Sequence, residues 1–257
     1  MILTVDISNT NVVFSVMNDG KAMFVSRLST DKARTADEYS VLLEWTAHQR
    51  DFDLKNVEGA IISSVVPPLT AAVAKAVEIA TCCHPLIIGP GLKTGLNIRL
   101  EDPTELGGDF VASAVAAIAS YPMPCIIVEM GTATALGILD KAGSYVGGVI
   151  CPGLMVSQEA LAQGAAQLSN VSITAPGQVI CKSTYECMQS GLIYGAAAMV
   201  DGLLSRIEEE LGEKASVVAT GDWAETVIPF CKRSGIITDR ELIMRGLWLI
   251  YKKNRRS

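Results

Sequence analysis

The chain has 257 residues, 49% of them hydrophobic and 19% charged, with a formal net charge of −6. That length supports one large or two medium domains with a sizeable core, and the composition excludes a disordered chain. The acidic balance argues against nucleic acid or an anionic membrane surface as the main partner.

Other exclusions follow from single residue types. The terminal basic residues Lys252, Lys253, Arg255 and Arg256 complement a helix dipole better than they form a binding patch. No run reaches membrane-spanning length without a charge or a turn. The N-terminal apolar run has no basic region before it and carries Asp6, so it is not a signal peptide, and a cytoplasmic location is expected. The seven cysteines form no C-x-x-C pattern and read as reduced, mostly buried thiols. Only two histidines occur, His48 and His84, which argues against a zinc site or a His-based triad. Catalysis should run on carboxylates.

Residues 1–16, MILTVDISNTNVVFSV, read as a β-hairpin. Ile2, Leu3 and Val5 precede Asp6. The small polar run Ser8-Asn9-Thr10-Asn11 then leads into Val12-Val13-Phe14-Ser15-Val16. An acid where a buried strand enters a turn needs a reason, because a lone carboxylate there loses solvation. Two readings fit: Asp6 and Asn9 bond their own turn, or the small residues let backbone N–H groups reach a phosphate whose metal the acid holds. Asn18-Asp19-Gly20 is a second turn, and a third strand follows over 22–28.

Thr35-x-x-Glu38 is a capping box for a helix to about Gln49. Residues 59–65 read as a buried strand, Pro67-Pro68 opens a helix to about Ile79, and 85–88 is a short strand. A meander followed by crossovers predicts a mixed sheet. Residues 90–106 read as a connection. Leu106-Gly107-Gly108-Asp109 then precedes a small-residue helix over 110–120.

At Cys125 the opening phrase returns. Residues 126–139 match 3–16 position by position, with Glu129 in place of Asp6 and Gly131-Thr132-Ala133-Thr134 in place of the polar turn. A turn at 141–143 and a strand over 145–150 follow, as in the first copy. A repeat at half the chain length predicts two similar domains. Pro152-Gly153 opens a helix to about Gln163, and 164–180 is a loop with some extended structure. Ser183-x-x-Glu186 caps a long helix from Thr184 to about Leu211. A strand over 215–220 ends at Gly221-Asp222. A helix near 223–230, a short strand at 236–237 and a last helix capped by Thr238-x-x-Glu241 complete the chain.

Two hairpins with one acid each, plus a third small turn at Ala219-Thr220-Gly221, describe a nucleotide phosphate site with Mg²⁺ between phosphates and carboxylates. It is neither a Walker A loop nor a dinucleotide fingerprint. Asp109 reads either as a helix N-cap or as a general base for an attacking alcohol, and Gly107 and Gly108 leave room for substrate. Thr184 reads as an ordinary first-turn threonine or as an anion contact at a helix N-terminus.

These features, together with Thr35-Ala36-Asp37-Glu38-Tyr39, Ile62-Ser63-Ser64-Val65-Val66-Pro67-Pro68, the run from Gly89 to Asn97, Gly147-Gly148-Val149-Ile150-Cys151-Pro152-Gly153 and Met188-Gln189-Ser190-Gly191, identify a family. Over essentially its whole length the chain resembles the type III pantothenate kinases, the Bvg accessory factor homologues of the acetate kinase, sugar kinase and actin superfamily. The resemblance implies an α/β fold of duplicated ribonuclease H-like (actin-like ATPase) domains, 1–105 and 106–257, each a mixed five-stranded-type sheet flanked by helices, with a cleft between them. The last helix would pack back on the first domain.

The resemblance also implies transfer of the ATP γ-phosphate to pantothenate, the first step of coenzyme A synthesis. It implies a homodimer, Mg²⁺ with ATP, and a monovalent cation, K⁺ or NH₄⁺. By the same resemblance Asp6, Ile7, Ser8, Asn9, Thr10, Asn11, Val12 and Val13 would form the ATP phosphate loop, with Asp6 near Mg²⁺ through the phosphates and Thr132 also touching ATP. Gly107, Gly108, Asp109, Phe110 and Thr184 would line the pantothenate site, with Asp109 as base. Glu129 would hold the monovalent cation.

Several positions depart from the family pattern. Ser8 stands for a usual Gly, Phe110 for Arg, Ser113 for Asn, Leu100 for Tyr, Glu129 for Asp and Asp222 for Gly. The alternative they raise is a catalytically impaired paralogue that binds or regulates, or a kinase for a different small alcohol.

Overall fold

Alternation along the first strand sets the architecture of the first half. The computed structural model describes residues 1–255; Arg256, expected in the terminal basic cluster, lies outside the described residues. In β1 (Ile2–Ile7), Leu3, Val5 and Ile7 point into one core and Thr4 and Asp6 leave by the other face. β1 pairs antiparallel with β2 (Asn11–Asn18), and β2 with β3 (Lys21–Ser29). The tight turn between β2 and β3 is Asp19-Gly20, both at positive φ (46° and 80°), the conformation a two-residue hairpin needs.

Helix α1 (Ala36–His48) starts at the expected capping box, with Glu38 N–H donating to Thr35 Oγ1 and Thr35 N–H to Glu38 Oε2 at 2.7 Å. β4 (Ala60–Ser64) returns parallel to β1, and α2 (Pro67–Thr81) leads to β5 (Leu86–Ile87), parallel to β4. The sheet order is β3-β2-β1-β4-β5. Tyr39 and Leu43 of α1 and Val73, Ala76 and Val77 of α2 fill the core beneath Leu3, Val5, Phe14 and Ile62. The 90–106 connection contains a short strand, β6 (Asn97–Ile98), and a 3₁₀ turn over 103–105, neither visible in the hydrophobic pattern.

After α3 (Gly108–Ser120), the second half repeats the plan with β7 (Cys125–Met130), β8 (Ala133–Leu139) and β9 (Ser144–Pro152) as an antiparallel meander. Helix α4 (Leu154–Gly164), the long α5 (Thr184–Leu211), β10 (Ser216–Thr220), α6 (Ala224–Val227) and β11 (Ile236–Thr238) follow, with β10 parallel to β7 and β11 parallel to β10. The sheet order β11-β10-β7-β8-β9 mirrors the first sheet, with β6 added at its edge. Both meanders carry a bulge at the same place, Val16/Met17 and Ile138/Leu139.

The repeat is not position by position throughout. Ile7 pairs with Val12 across residues 8–11, whereas Met130 pairs with Thr134 across residues 131–133. The second turn is one residue shorter, so Phe14 corresponds to Leu136, the residue that shares its core role, and not to Gly137. With a side-chain period of two, a one-residue slip would otherwise turn the strand inside out.

Four other expectations change. The last helix, α7 (Leu242–Arg255), begins at Leu242; Thr238 belongs to β11 and Asp239 N–H still bonds Ala219 O, so Thr238 caps nothing. The helix near 223–230 breaks at Pro229 into α6 and a 3₁₀ turn. No strand forms over 164–183; α5 holds that loop through Gln189 Nε2 to Thr174 Oγ1 (2.7 Å) and Tyr194 OH to Pro176 O (2.8 Å). The cysteines are free but mostly not buried: only Cys125 is, and Cys82 is exposed at the left-handed end of α2.

The chain divides into two units. Among the described residues, one comprises 1–97, 101–119 and 241–255; the other comprises 98–100 and 120–240. This differs from the expected division at 105/106 by assigning α3 to the first unit; α7 falls there too, as expected for the last helix. There α7 lies on β1 and β4, with Thr4 Oγ1 3.3 Å from Met244 Sδ. Gly246 of α7 has no room for a side chain: a Cβ there would collide with the backbone of Ala112 in α3. Gly246→Ala should therefore force two helices apart at a cost on the order of 2–3 kcal/mol. Thermal denaturation should show Tm lowered by roughly 4–12 °C.

Candidate active site

In the first unit the structure gathers Asp6, the 8–13 turn, Ser63 and the start of α3. Asp6 is the penultimate residue of β1, only 6% exposed, flanked in the sheet by Val13 and Ser63. Its position follows from alternation: the residues on either side of it belong to the core, so the carboxylate emerges on the opposite face. Asp109 is the second residue of α3, and its Oδ1 accepts Phe110 N–H at 2.8 Å. It is therefore not the N-cap; Gly107 precedes the helix.

The two glycines before Asp109 leave room for its carboxylate and for the neighbours of the helix start. A Cβ on Gly107 would strike Asp109 Oδ1, and one on Gly108 would lie 3.0 Å from Ser63 Oγ and 3.3 Å from Ile88 Cγ2. A side chain at 107 would displace the Asp109 carboxylate, and one at 108 would press on Ser63 and Ile88.

The electrostatics of the pair are unfavourable as they stand. Burial, and after it the charge of Asp109, push the Asp6 carboxyl up to about 7 against the opposing effect of the nearby Ser63 hydroxyl. Burial also pushes Asp109 up, against the N–H of Phe110 that favours its charged form. Two carboxylates held together at raised pKa suit a divalent cation, which restores both charges. Among the described residues no three Asp, Glu, His or Cys side chains converge as a complete metal site. A pair of carboxylates is a donor set that Mg²⁺ accepts, since it commonly takes one or two and completes its shell with phosphates and water.

The 8–13 turn closes on itself. Ser8 N–H and Oγ both donate to Asn11 O (2.9 and 3.0 Å), and Asn11 N–H donates to Ser8 Oγ at 3.2 Å. Thr30 ties the turn to the next strand, donating from Oγ1 to Ser8 O at 2.7 Å. The Ser8 side chain is thus engaged inside the turn. Asn9 and Thr10 are exposed at its tip, Ile7 and Val12 are buried, and Val13 is half-buried.

In the second unit, Glu129 is the penultimate residue of β7, flanked by Ala135 and Thr220. Thr132 is exposed at the tip of the 131–133 turn. Gly153, before α4, packs so closely that a Cβ would collide with the carbonyls of Gly131 and Thr132. Gly221 (φ 95°) turns the chain away from β10 against the Met130 backbone, and Trp223 N–H bonds Met130 O at 3.0 Å. Asp222 beside it is exposed. Thr184 is the exposed first residue of α5, with Ser183 Oγ capping Glu186 N–H. Ser113 is fully buried in α3. Ser63 carried no site signal in the sequence beyond its strand; only the ladder places it beside Asp6.

A duplicated mixed sheet with an acid ending the first strand of each half defines an actin-like ATPase fold. The fold is shared with MreB 5 of Spiroplasma citri bound to AMPPNP, with TM-score 0.56 and 9% identity over 99% of this chain and 97% of that one. A Campylobacter jejuni protein described as a Baf family transcriptional activator aligns with TM-score 0.63 and 17% identity, over 99% of this chain and all of that one. The family model for type III pantothenate kinase matches residues 2–206. The type III pantothenate kinase of Bacillus cytotoxicus is 39% identical over 256 residues, 99% of this chain and 97% of the relative. The chain belongs to the type III pantothenate kinase family, the phosphotransferases that phosphorylate pantothenate in coenzyme A biosynthesis.

The Asp6 shift makes a signed prediction. Its folded pKa is raised from 3.8 to about 7, so its protonated form favours the folded state. Stability is full below the unfolded pKa and is lost as pH rises through the folded one. Asp6→Asn removes this penalty. Without nucleotide, its Tm advantage over the unaltered protein should grow from pH 4 to pH 7 and level off above; a Tm difference independent of pH would contradict the shift. The upper slope is about 1.4 kcal/mol per pH unit.

Proposed function

We propose that the protein transfers the γ-phosphate of ATP to the primary hydroxyl of pantothenate, with Asp109 as the general base. The observation that supports this most directly is the Asp6–Asp109 pair, two carboxylates of raised pKa at a glycine-cleared helix start on this family's fold. A base with an upward-shifted pKa is better matched to an alcohol proton near neutral pH. Phosphoryl transfer asks the protein mainly for positioning and charge stabilisation.

In this reading residues Asp6 to Val13 and Thr132 bind ATP. Gly107, Gly108, Phe110 and Thr184 line the alcohol's site, and Asp109 takes the hydroxyl proton as the alcohol oxygen bonds to the γ-phosphorus and the β,γ-bridging P–O bond breaks to release ADP. Asp6 would hold Mg²⁺ through the phosphates; when bound, the ion neutralises phosphate charge. Glu129 would hold K⁺ or NH₄⁺. The working form would be a cytoplasmic homodimer. Among the described residues no helix is long and apolar enough to cross a membrane.

Phe110 favours a second reading. At the position where the family pattern has an Arg, the chain has Phe110, the residue directly after the base. That removes a charge-assisted hydrogen bond to an anionic substrate, worth about 1.5–3 kcal/mol. A less anionic alcohol, or a binding role without turnover, would tolerate the loss.

Turnover of ATP with pantothenate, with and without K⁺ or NH₄⁺, separates the readings. The kinase reading expects turnover that depends on the monovalent cation and falls by about 10²–10⁴-fold in Asp109→Asn. No turnover together with no ATP-induced rise in Tm would sink it. Phe110→Arg should lower the pantothenate KM by roughly tenfold or more, from the same bond energy. An unchanged KM would place the lost cation outside the substrate's reach.

A further inference from the structure

Ser63 is a buried hydroxyl that the roles assigned above leave unused. It is fully buried near the end of β4, and its Oγ has no partner at full hydrogen-bond geometry. Such a group is costly in a protein interior unless it serves another group. In the β1–β4 ladder Ser63 stands directly across from Asp6. Val5, Ile7 and Ile62 fill the core on one face, so Asp6 and Ser63 leave the sheet side by side on the other. From above, the hydroxyl is covered by the bare backbone of Gly108, where a Cβ would come within 3.0 Å of Oγ. Its surroundings are thus the carboxylate of Asp6 and the helix start that carries Asp109.

The second half repeats the arrangement. Thr220 of β10 stands directly across from Glu129 of β7 and is likewise buried. Val217 and Ala219 face the second core, so Thr220 leaves by the same face as Glu129. Each acid therefore has a hydroxyl on the adjacent parallel strand. The crossovers between those strands differ in length, so the match lies in the ladders and not in sequence spacing.

We propose that Ser63 is a positioning residue for Asp6, its hydroxyl donating to one carboxylate oxygen and leaving the other for the ATP phosphates and their cation. The inference rests on the role of Asp6 at ATP proposed above. Deletion of such a partner behind a functional carboxylate typically costs 10–100-fold in affinity or activity.

Ser63→Ala removes only the hydroxyl. Positioning predicts kcat lowered by about tenfold or more, with the pantothenate KM little changed and Tm unchanged or raised. The Tm rise induced by Mg²⁺ and ATP should shrink in the same variant. Ser63→Thr, which keeps the hydroxyl, should restore both. An unchanged kcat and an unchanged ATP-induced rise in Ser63→Ala would overturn the inference. So would a kcat loss that tracks a lowered Tm and is not rescued by threonine. If the unaltered protein shows no turnover with pantothenate, the kinase reading fails on its own, and the ATP-induced Tm rise in the two variants still decides the role of Ser63.

Discussion

Two like charges brought together inside one unit are the constraint around which the first half is arranged. Asp6 stands one residue before the end of a strand whose alternate residues are core, and Asp109 is the second residue of a helix whose start at Gly108 packs on Ser63 of the same sheet. The sheet and α3 hold the carboxylates near each other although burial raises the pKa of both and the charge of Asp109 raises that of Asp6 further. A fold selected for stability alone would not keep such a pair. Held in this way, it suits a site that receives cationic charge with its ligand.

Much of the surrounding structure serves that arrangement. α7 lies across β1 and β4 and presses against α3 where Gly246 leaves no room for a side chain. The helix that carries the proposed base is therefore braced by the chain's own C-terminal helix. The 8–11 turn is closed by its own Ser8 hydroxyl and tied to β3 through Thr30. A side chain at position 8 thus adds internal hydrogen bonds to the turn. In the second unit, bare glycines at 153 and 221 let α4 close on the 131–133 turn and the chain after β10 close on the backbone of Met130.

Duplication explains why one rule accounts for both halves. Each unit opens with a meander that has a bulge at the same point, then adds parallel strands by crossover. Each places an acid one residue before the end of its first strand and a hydroxyl on the parallel neighbour. Between the copies the chemistry has diverged: Asp6 has Asp109 for company, whereas Glu129 has a longer side chain and stands beside Ala135 and Thr220.

The sequence alone determined the class of fold, the repeat, the capping of α1 and α5, and the acids at 6, 109 and 129, because alternation, capping boxes and turn residues are local signals. Family motifs extended that to a reaction. Local signals failed where the deciding contact was distant. Thr238-x-x-Glu241 looked like a capping box, but pairing with β10 claimed Thr238 for a strand. The equivalence of the hairpins slipped by one because turn length is set by the ladder and not by residue type. α3 joined the first unit because its glycine start packs on Ser63 and Ile88. The pKa of the opening acid, and the hydroxyl beside it, were decided only by tertiary structure, since both depend on which strand lies next to β1 and how far water is excluded from the pair.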